Sequence, residues 1–308
     1  MASCDCQLGQ FARQLPKMKF AIIAFPFTTD SDAGTAAGPG ALLKAGLIEW
    51  LQEQGHRVSG PFAVELTYAE QAAYGAWNRI SLANAHLSRL VSREVREKAF
   101  PLILQSNCYA AIGVLAGLQM VRQSPRLGMV WIDAHGDCNT PETTLSGWLS
   151  GMPVAIAAGL CLERFRKQSG LIMPIWAHDI VMVCVRANDP LEQELINRSG
   201  IETVPVNGTR GDCAQLRAAM ERLARGVDCI YVHFDADALD ESEVASMWLT
   251  APGGPTRTEL AAALQIIMDF PQVAALGIAD INPERDVDGH MVQAALAVIR
   301  GGLEQVPR

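Results

Sequence analysis

The chain has 308 residues, 49% of them apolar, and a formal charge of -8 at neutral pH. Its apolar residues fall in short runs, none near the roughly 18 that a membrane-spanning helix needs. No lysine or arginine cluster offers a footprint for nucleic acid.

Residues 1–17 have no clear period and no apolar stretch of the secretory type, and read as a loose leader. Residues 18–308 read as a single α/β domain, which this length permits. The eight cysteines are Cys4, Cys6, Cys108, Cys138, Cys161, Cys184, Cys213 and Cys229. A chain with core enough of its own does not need disulfides, so the expectation is a cytoplasmic protein with reduced, mostly buried thiols.

Lys19–Phe27 is an apolar strand. The glycine-rich stretch TTDSDAGTAAGPG follows. It lacks the lysine-serine/threonine ending of a phosphate loop. Pro39 sits where a first helical turn should start, and one amphipathic helix is expected from there to Gly55. His56–Leu66 suits a shorter strand. Residues 69–98 are expected as one long helix, with Ala76, Ile80, Ala83, Leu87 and Leu90 as its apolar stripe. His86 lies beside that stripe and reads as a helix residue rather than a ligand.

Strands and helices then alternate. Expected strands are FPLILQ, LGMVWID, DIVMVCVR, IETVPV, VDCIYVHFD and VAALGIADI. Helices are expected at Tyr109–Val121, Met152–Leu162, Leu191–Arg198, Gln215–Arg225, Thr258–Phe270 and Gly289–Leu303. Continuous apolar strands between helices mark a parallel sheet of about eight strands, covered on both faces. In such sheets, ligands bind at the C-terminal ends of the strands.

Two motifs stand at those ends. In IDAHGDCNT, Asp133, His135 and Asp137 alternate after a core strand, and an extended backbone would put all three on one face. In HFDADALD, Asp235 and Asp237 repeat the pattern, and Asp240 follows. Carboxylates gathered at a sheet edge repel one another without a cation. Together the motifs supply an oxygen-rich site for two divalent ions. Oxygen ligands favour manganese or magnesium, and the imidazole of His135 tips the choice to Mn(2+). Paired carboxylates also serve glycoside hydrolysis, but that chemistry explains neither His135 nor the doubled motif.

These residues resemble the arginase/agmatinase (ureohydrolase) family. The resemblance is carried by GTAAGPGALLKAGLIEWL, WIDAHGDCNTPETTLSGWLSGMPVA, VRANDP, VHFDADALD and IADINP, in family order over residues 19–300. It implies a three-layer α/β/α sandwich around a mainly parallel eight-stranded sheet. It also implies attack of a metal-bridging hydroxide on a guanidinium carbon. Matched to the family, Asp133 and Asp235 bridge two metals, Asp137 ligates the first, and His135 and Asp237 ligate the second. Asn139, Ser146 and Asp189 match residues that hold the amino-acid end of the substrate. Family members are commonly trimers or hexamers, so a homo-trimer or hexamer is the matching expectation.

Three positions depart from the family pattern. The glycine-glycine-aspartate-histidine stretch is here Gln105, Ser106, Asn107 and Cys108, so a cysteine replaces the first metal's histidine. A thiolate is soft and suits zinc or iron better than manganese, so the first site is expected to be weak or to hold another metal. Ser150 stands at the acid/base histidine, and serine cannot shuttle a proton near neutral pH. Asp280 replaces the guanidinium-binding glutamate, one methylene shorter. These departures are similar to the cycloserine-pathway branch, which splits Nω-hydroxy-L-arginine into hydroxyurea and L-ornithine. Hydrolysis of another guanidino or formimino amino acid, and a non-catalytic metal-poor binding or assembly protein, are the alternatives. His233 shares the face of Asp235 and reads either as packing or as a partner orienting a ligand. Cys138 should point away from the ligands, Glu142 toward substrate or solvent, and Trp148 and Trp248 toward the pocket rim.

Overall fold

The computed structural model describes residues 17–121, 125–244 and 250–304. The leader, apart from Lys17, lies outside the described residues, as do Cys4, Cys6 and Trp248. Eight strands form one sheet: β1 (Lys19–Phe25), β2 (Arg57–Ala63), β3 (Phe100–Gln105), β4 (Leu127–Ile132), β5 (Ile180–Val183), β6 (Glu202–Val204), β7 (Cys229–Asp235) and β8 (Val273–Ala279). Their order is β2-β1-β3-β8-β7-β4-β5-β6. Every pairing is parallel.

Period-two alternation sorts the strand side chains between two apolar layers. Ile22, Leu104, Ile132, Val232 and Phe234 face the helices Ala214–Gly226, Arg257–Met268 and His290–Leu303. Ile23, Ile103, Met129, Trp131 and Tyr231 face the helices Ala76–Arg96 and Ala111–Gln119. The result is the expected three-layer α/β/α sandwich. β3, β8, β7 and β4 lie at its centre and are buried on both faces.

Three expected helices are broken, each at a left-handed glycine. The first stops at Lys44 and restarts at Leu47, with Gly46 at φ 88° between them. The helix expected over 69–98 becomes Tyr68–Gln71 and Ala76–Arg96, parted at Gly75 (φ 89°). The short first piece carries a capping box between Thr67 and Glu70. The helix expected at Met152–Leu162 ends at Ala157, before Gly159 (φ 75°). Apolar spacing ran on through these glycines, but a positive φ stops the helical backbone.

No described helix is long and apolar enough to cross a membrane. The six described cysteines are free. Cys161 and Cys229 are half-buried rather than buried. His86 pairs with Glu70 at 3.0 Å.

Phe234 is fully buried on β7, between Ile132 of β4 and Ile278 of β8. Phe234→Ala is expected to cost about 3–5 kcal/mol of stability. Urea unfolding reads this directly, and a loss under about 1 kcal/mol contradicts the packing described.

Candidate metal centre

The four central strands end side by side, and each releases its polar residues at the same edge. Cys108 follows β3, Asp133 follows β4, Asp235 closes β7 and Asp280 follows β8. They open onto a cavity of about 720 Å³. The residues matched to metal, substrate and acid/base roles line it: Cys108, Asp133, His135, Asp137, Asn139, Ser146, Ser150, Asp189, Asp235, Asp237 and Asp280. The volume suits a small molecule.

The convergence does not come from extended strands. β4 ends at Ile132, and the backbone bends through Asp133–His135. Asp137 is left-handed at φ 46°. Asp237 lies in a 3-10 turn, Ala236–Ala238, and its N–H donates to Asp235 Oδ1 at 2.8 Å. Turns therefore gather the ligand-type side chains, where alternation had been expected. Asp280 is also left-handed, at φ 62°. Aspartate tolerates this region better than most residues, and such conformations cluster at functional sites.

Three groups of donor atoms lie within 4.8 Å of one another: Cys108, Asp133, His233 and Asp235; Asp133, His135 and Asp237; and Asp235, Asp237 and Asp280. Asp133 belongs to two groups, as a bridging ligand would. So do Asp235 and Asp237. Asp137 joins none of the three, although it lines the same cavity. Asp240 lies away from the cavity and accepts from Ser242 Oγ at 2.6 Å.

Electrostatics make this cluster expensive without a cation. Burial pushes the Asp133, Asp137 and Asp235 carboxyls well above the carboxylate range, and neighbouring aspartates push further. Burial also raises the Cys108 thiol, as does Asp235, whose Oδ2 accepts from Sγ at 2.9 Å. His135 Nδ1 lies 2.8 Å from Asp237 Oδ2. Burial alone would lower His135, but Asp237 and Asp133 outweigh it and push the imidazole up to about 12. The same pairing outweighs burial at Asp237 and holds that carboxyl low. Burial pulls His233 down to about 3, so that ring is neutral. Buried carboxylates and imidazoles crowded this closely are a donor set that fits two divalent ions.

The cavity wall is built by a second set of contacts. Asn139 Nδ2 donates to Asp189 Oδ2 at 3.2 Å, and Thr143 Oγ1 donates to Asn139 Oδ1 at 2.9 Å. Asp189 caps the helix Pro190–Ser199, with Glu192 closing the capping box. Glu192 Oε1 also accepts from Cys138 N at 2.8 Å, and Asn188 Oδ1 accepts from Gly136 N at 2.8 Å. One helix start therefore ties down the loop that carries Asp137 and Asn139. Sequence reading missed Glu192 and Asn188, although the spacing Asp189-Pro190-x-Glu192 is a legible capping signal. It also missed Asn107, whose Nδ2 donates to Asp280 Oδ1 at 3.3 Å. Trp148 lines the cavity as expected, whereas Glu142 is exposed away from it. Cys138 is buried behind the ligand loop.

The raised pKa values set the sign of a pH effect. A carboxyl raised in the fold stabilises it below about pH 4 and withdraws that stability as pH climbs toward the folded value. His135, also raised, acts in the same direction above about pH 6.5, while Asp237, held low, gives up its contribution only below about pH 4. Chelator-treated protein is therefore expected to lose thermal stability as pH rises from about 5 to 8, with added manganese restoring more at the higher pH. Melting curves with and without manganese test this. A manganese effect that does not change with pH contradicts it.

Known proteins match this architecture closely. The profile of the arginase family matches residues 18–303. An arginase of Brevibacillus brevis is 26% identical over 285 residues, covering 90% of this chain and 95% of the relative. The arginase of Bacillus subtilis (strain 168) is 28% identical over 259 residues, covering 82% of this chain and 86% of the relative. The solved structure of Bacillus caldovelox arginase superposes with a TM-score of 0.81 at 27% identity, covering 94% of this chain and 98% of the other. The chain belongs to the arginase family.

Proposed function

We propose that the protein is a metal-dependent amidinohydrolase that cleaves Nω-hydroxy-L-arginine to hydroxyurea and L-ornithine. In this reading residues 18–308 act as one catalytic domain. Family membership and the donor cluster are consistent with metal-dependent C–N cleavage of the ureohydrolase kind. The observation that carries the finer reading is the set of proton-handling groups in the cavity. Its lining includes Ser150 and one imidazole, His135, which is committed to Asp237 and Asp133.

Asp133, Asp235, His135, Asp237 and Asp137, with Cys108 beside them, would hold two manganese ions. Such a pair lowers the pKa of a water between the ions and polarises the atom under attack. Asn139, Ser146 and Asp189 receive the amino-acid end and so fix the distance to the reacting carbon. Asp280, braced by Asn107, faces the guanidine-like head. In the net reaction the water's oxygen becomes the hydroxyurea carbonyl, and the bond from carbon to the δ-nitrogen breaks. One proton ends on the departing amine and the other on the hydroxyimino nitrogen.

Ser150 cannot deliver that first proton as an imidazole would. A hydroxyguanidine is less basic than a guanidine, so its head group enters neutral more readily and carries an exchangeable N–OH proton of its own. It therefore depends less on a histidine at position 150.

Manganese-loaded protein is expected to turn over hydroxyarginine with a kcat/KM at least about tenfold above that for arginine, a difference of about 1.4 kcal/mol. Ser150→His is expected to raise arginine turnover by about 100-fold, the lower range of general acid–base catalysis. Steady-state assays decide both, and equal rates on the two substrates would sink the reading. Asp189→Ala is expected to raise KM more than it lowers kcat, as loss of a tail contact should. A fall in kcat alone would place Asp189 elsewhere in the reaction.

A further inference from the structure

His233 is fully buried on β7. Its ring stacks on Trp131, with centroids 3.8 Å apart and planes 12° apart. The stack follows from register, because Trp131 and His233 are direct partners on β4 and β7. Tyr231 lies two residues earlier on the same face and holds His233 Nδ1 at 3.0 Å from its hydroxyl. Gln105 of β3 holds that hydroxyl at 2.7 Å across the sheet. The relay passes over Gly277 of β8, where a Cβ would collide with both Gln105 and Tyr231. Four strands thus fix one imidazole.

Its other nitrogen, Nε2, has no hydrogen-bond partner. One nitrogen of this ring groups with the donor atoms of Cys108, Asp133 and Asp235, all within 4.8 Å of one another, and because Nδ1 is held by Tyr231 that nitrogen is Nε2. A buried polar atom left unpaired among carboxylates is costly unless something else occupies it. We propose that His233 Nε2 is a ligand of the first metal ion, supplying from β7 the imidazole that position 108 lacks. This rests on reading the cluster as a two-metal site.

The relay behind the ring supports the assignment. A half-turn of the Gln105 amide lets Oε1, otherwise unpaired, accept the Tyr231 proton. Tyr231 Oη then accepts from Nδ1–H, and Nε2 presents its lone pair to the site. Metal-bound histidines typically donate their second N–H in this way. The first ion then has an imidazole and two carboxylates without needing a Cys108 thiolate, a set that suits manganese.

The test uses full-length protein stripped with chelator and reloaded with manganese. His233→Phe keeps an aromatic ring to stack on Trp131 but removes both nitrogens. The wild type is expected to bind two ions per chain. His233→Phe is expected to bind one at the same manganese concentration, its first-site affinity falling by more than about 100-fold. That exceeds the loss from removing a mere orienting partner. Two ions in His233→Phe, bound as in the wild type, would overturn the assignment and leave the hydrolase reading standing. No ion in the wild type would overturn both. A spin-echo measurement on manganese-loaded His135→Ala covers the case in which His233→Phe does not fold. Imidazole nitrogen coupling should persist there, because the second site's histidine is gone, and its absence would overturn the proposal.

Discussion

The structure depends on charge crowding at the edge of the sheet. Asp133 and Asp235 lie far apart in the chain but end adjacent parallel strands, and a second acidic residue follows each, Asp137 four positions after Asp133 and Asp237 two positions after Asp235. Burial and mutual repulsion both favour the neutral carboxyl. Such a group either takes up protons or holds cations. Its position follows from the late strands: β7 and β8 enter between β3 and β4, so four strand ends meet at the sheet centre. The apolar layers on both faces make that meeting rigid, since strand register fixes where each side chain emerges.

The same edge joins the loop after β4 to the helix that starts at Pro190. The loop after β4 carries Asp137 at one end and Asn139 just beyond it. Glu192 and Asn188 clamp its backbone, and Asp189 turns from the same helix start toward Asn139. Hydrogen bonds of ordinary length thus tie the loop that carries Asp137 and Asn139 to the start of that helix. Ser150 lies at the far end of that loop, where it contributes a hydroxyl rather than a titrating group.

Much of this was legible in the sequence, for identifiable reasons. Buried parallel strands are continuous apolar runs, so LGMVWI and IYVHF stood out, and the aspartates that follow them marked the site. Helix interruption was not legible, because the apolar spacing of the first helix and of residues 69–98 continues through Gly46 and Gly75. Only the backbone reveals that those glycines are left-handed. Asp137 and Asp237 were read as members of extended segments, yet turns bring them inward. His233 stayed ambiguous in sequence, since alternation gives a face but not a neighbour. Its stack on Trp131 and its relay through Tyr231 to Gln105 depend on pairing across strands distant in the chain.

The central claim is that the two aspartate motifs hold a pair of metal ions between them. Anomalous diffraction at the manganese edge, from crystals grown with manganese, tests it most directly. The account predicts two peaks about 3.5–4 Å apart, both within bonding reach of Asp133 and Asp235. No peak at the ends of β4 and β7, or manganese bound only elsewhere on the chain, would contradict it.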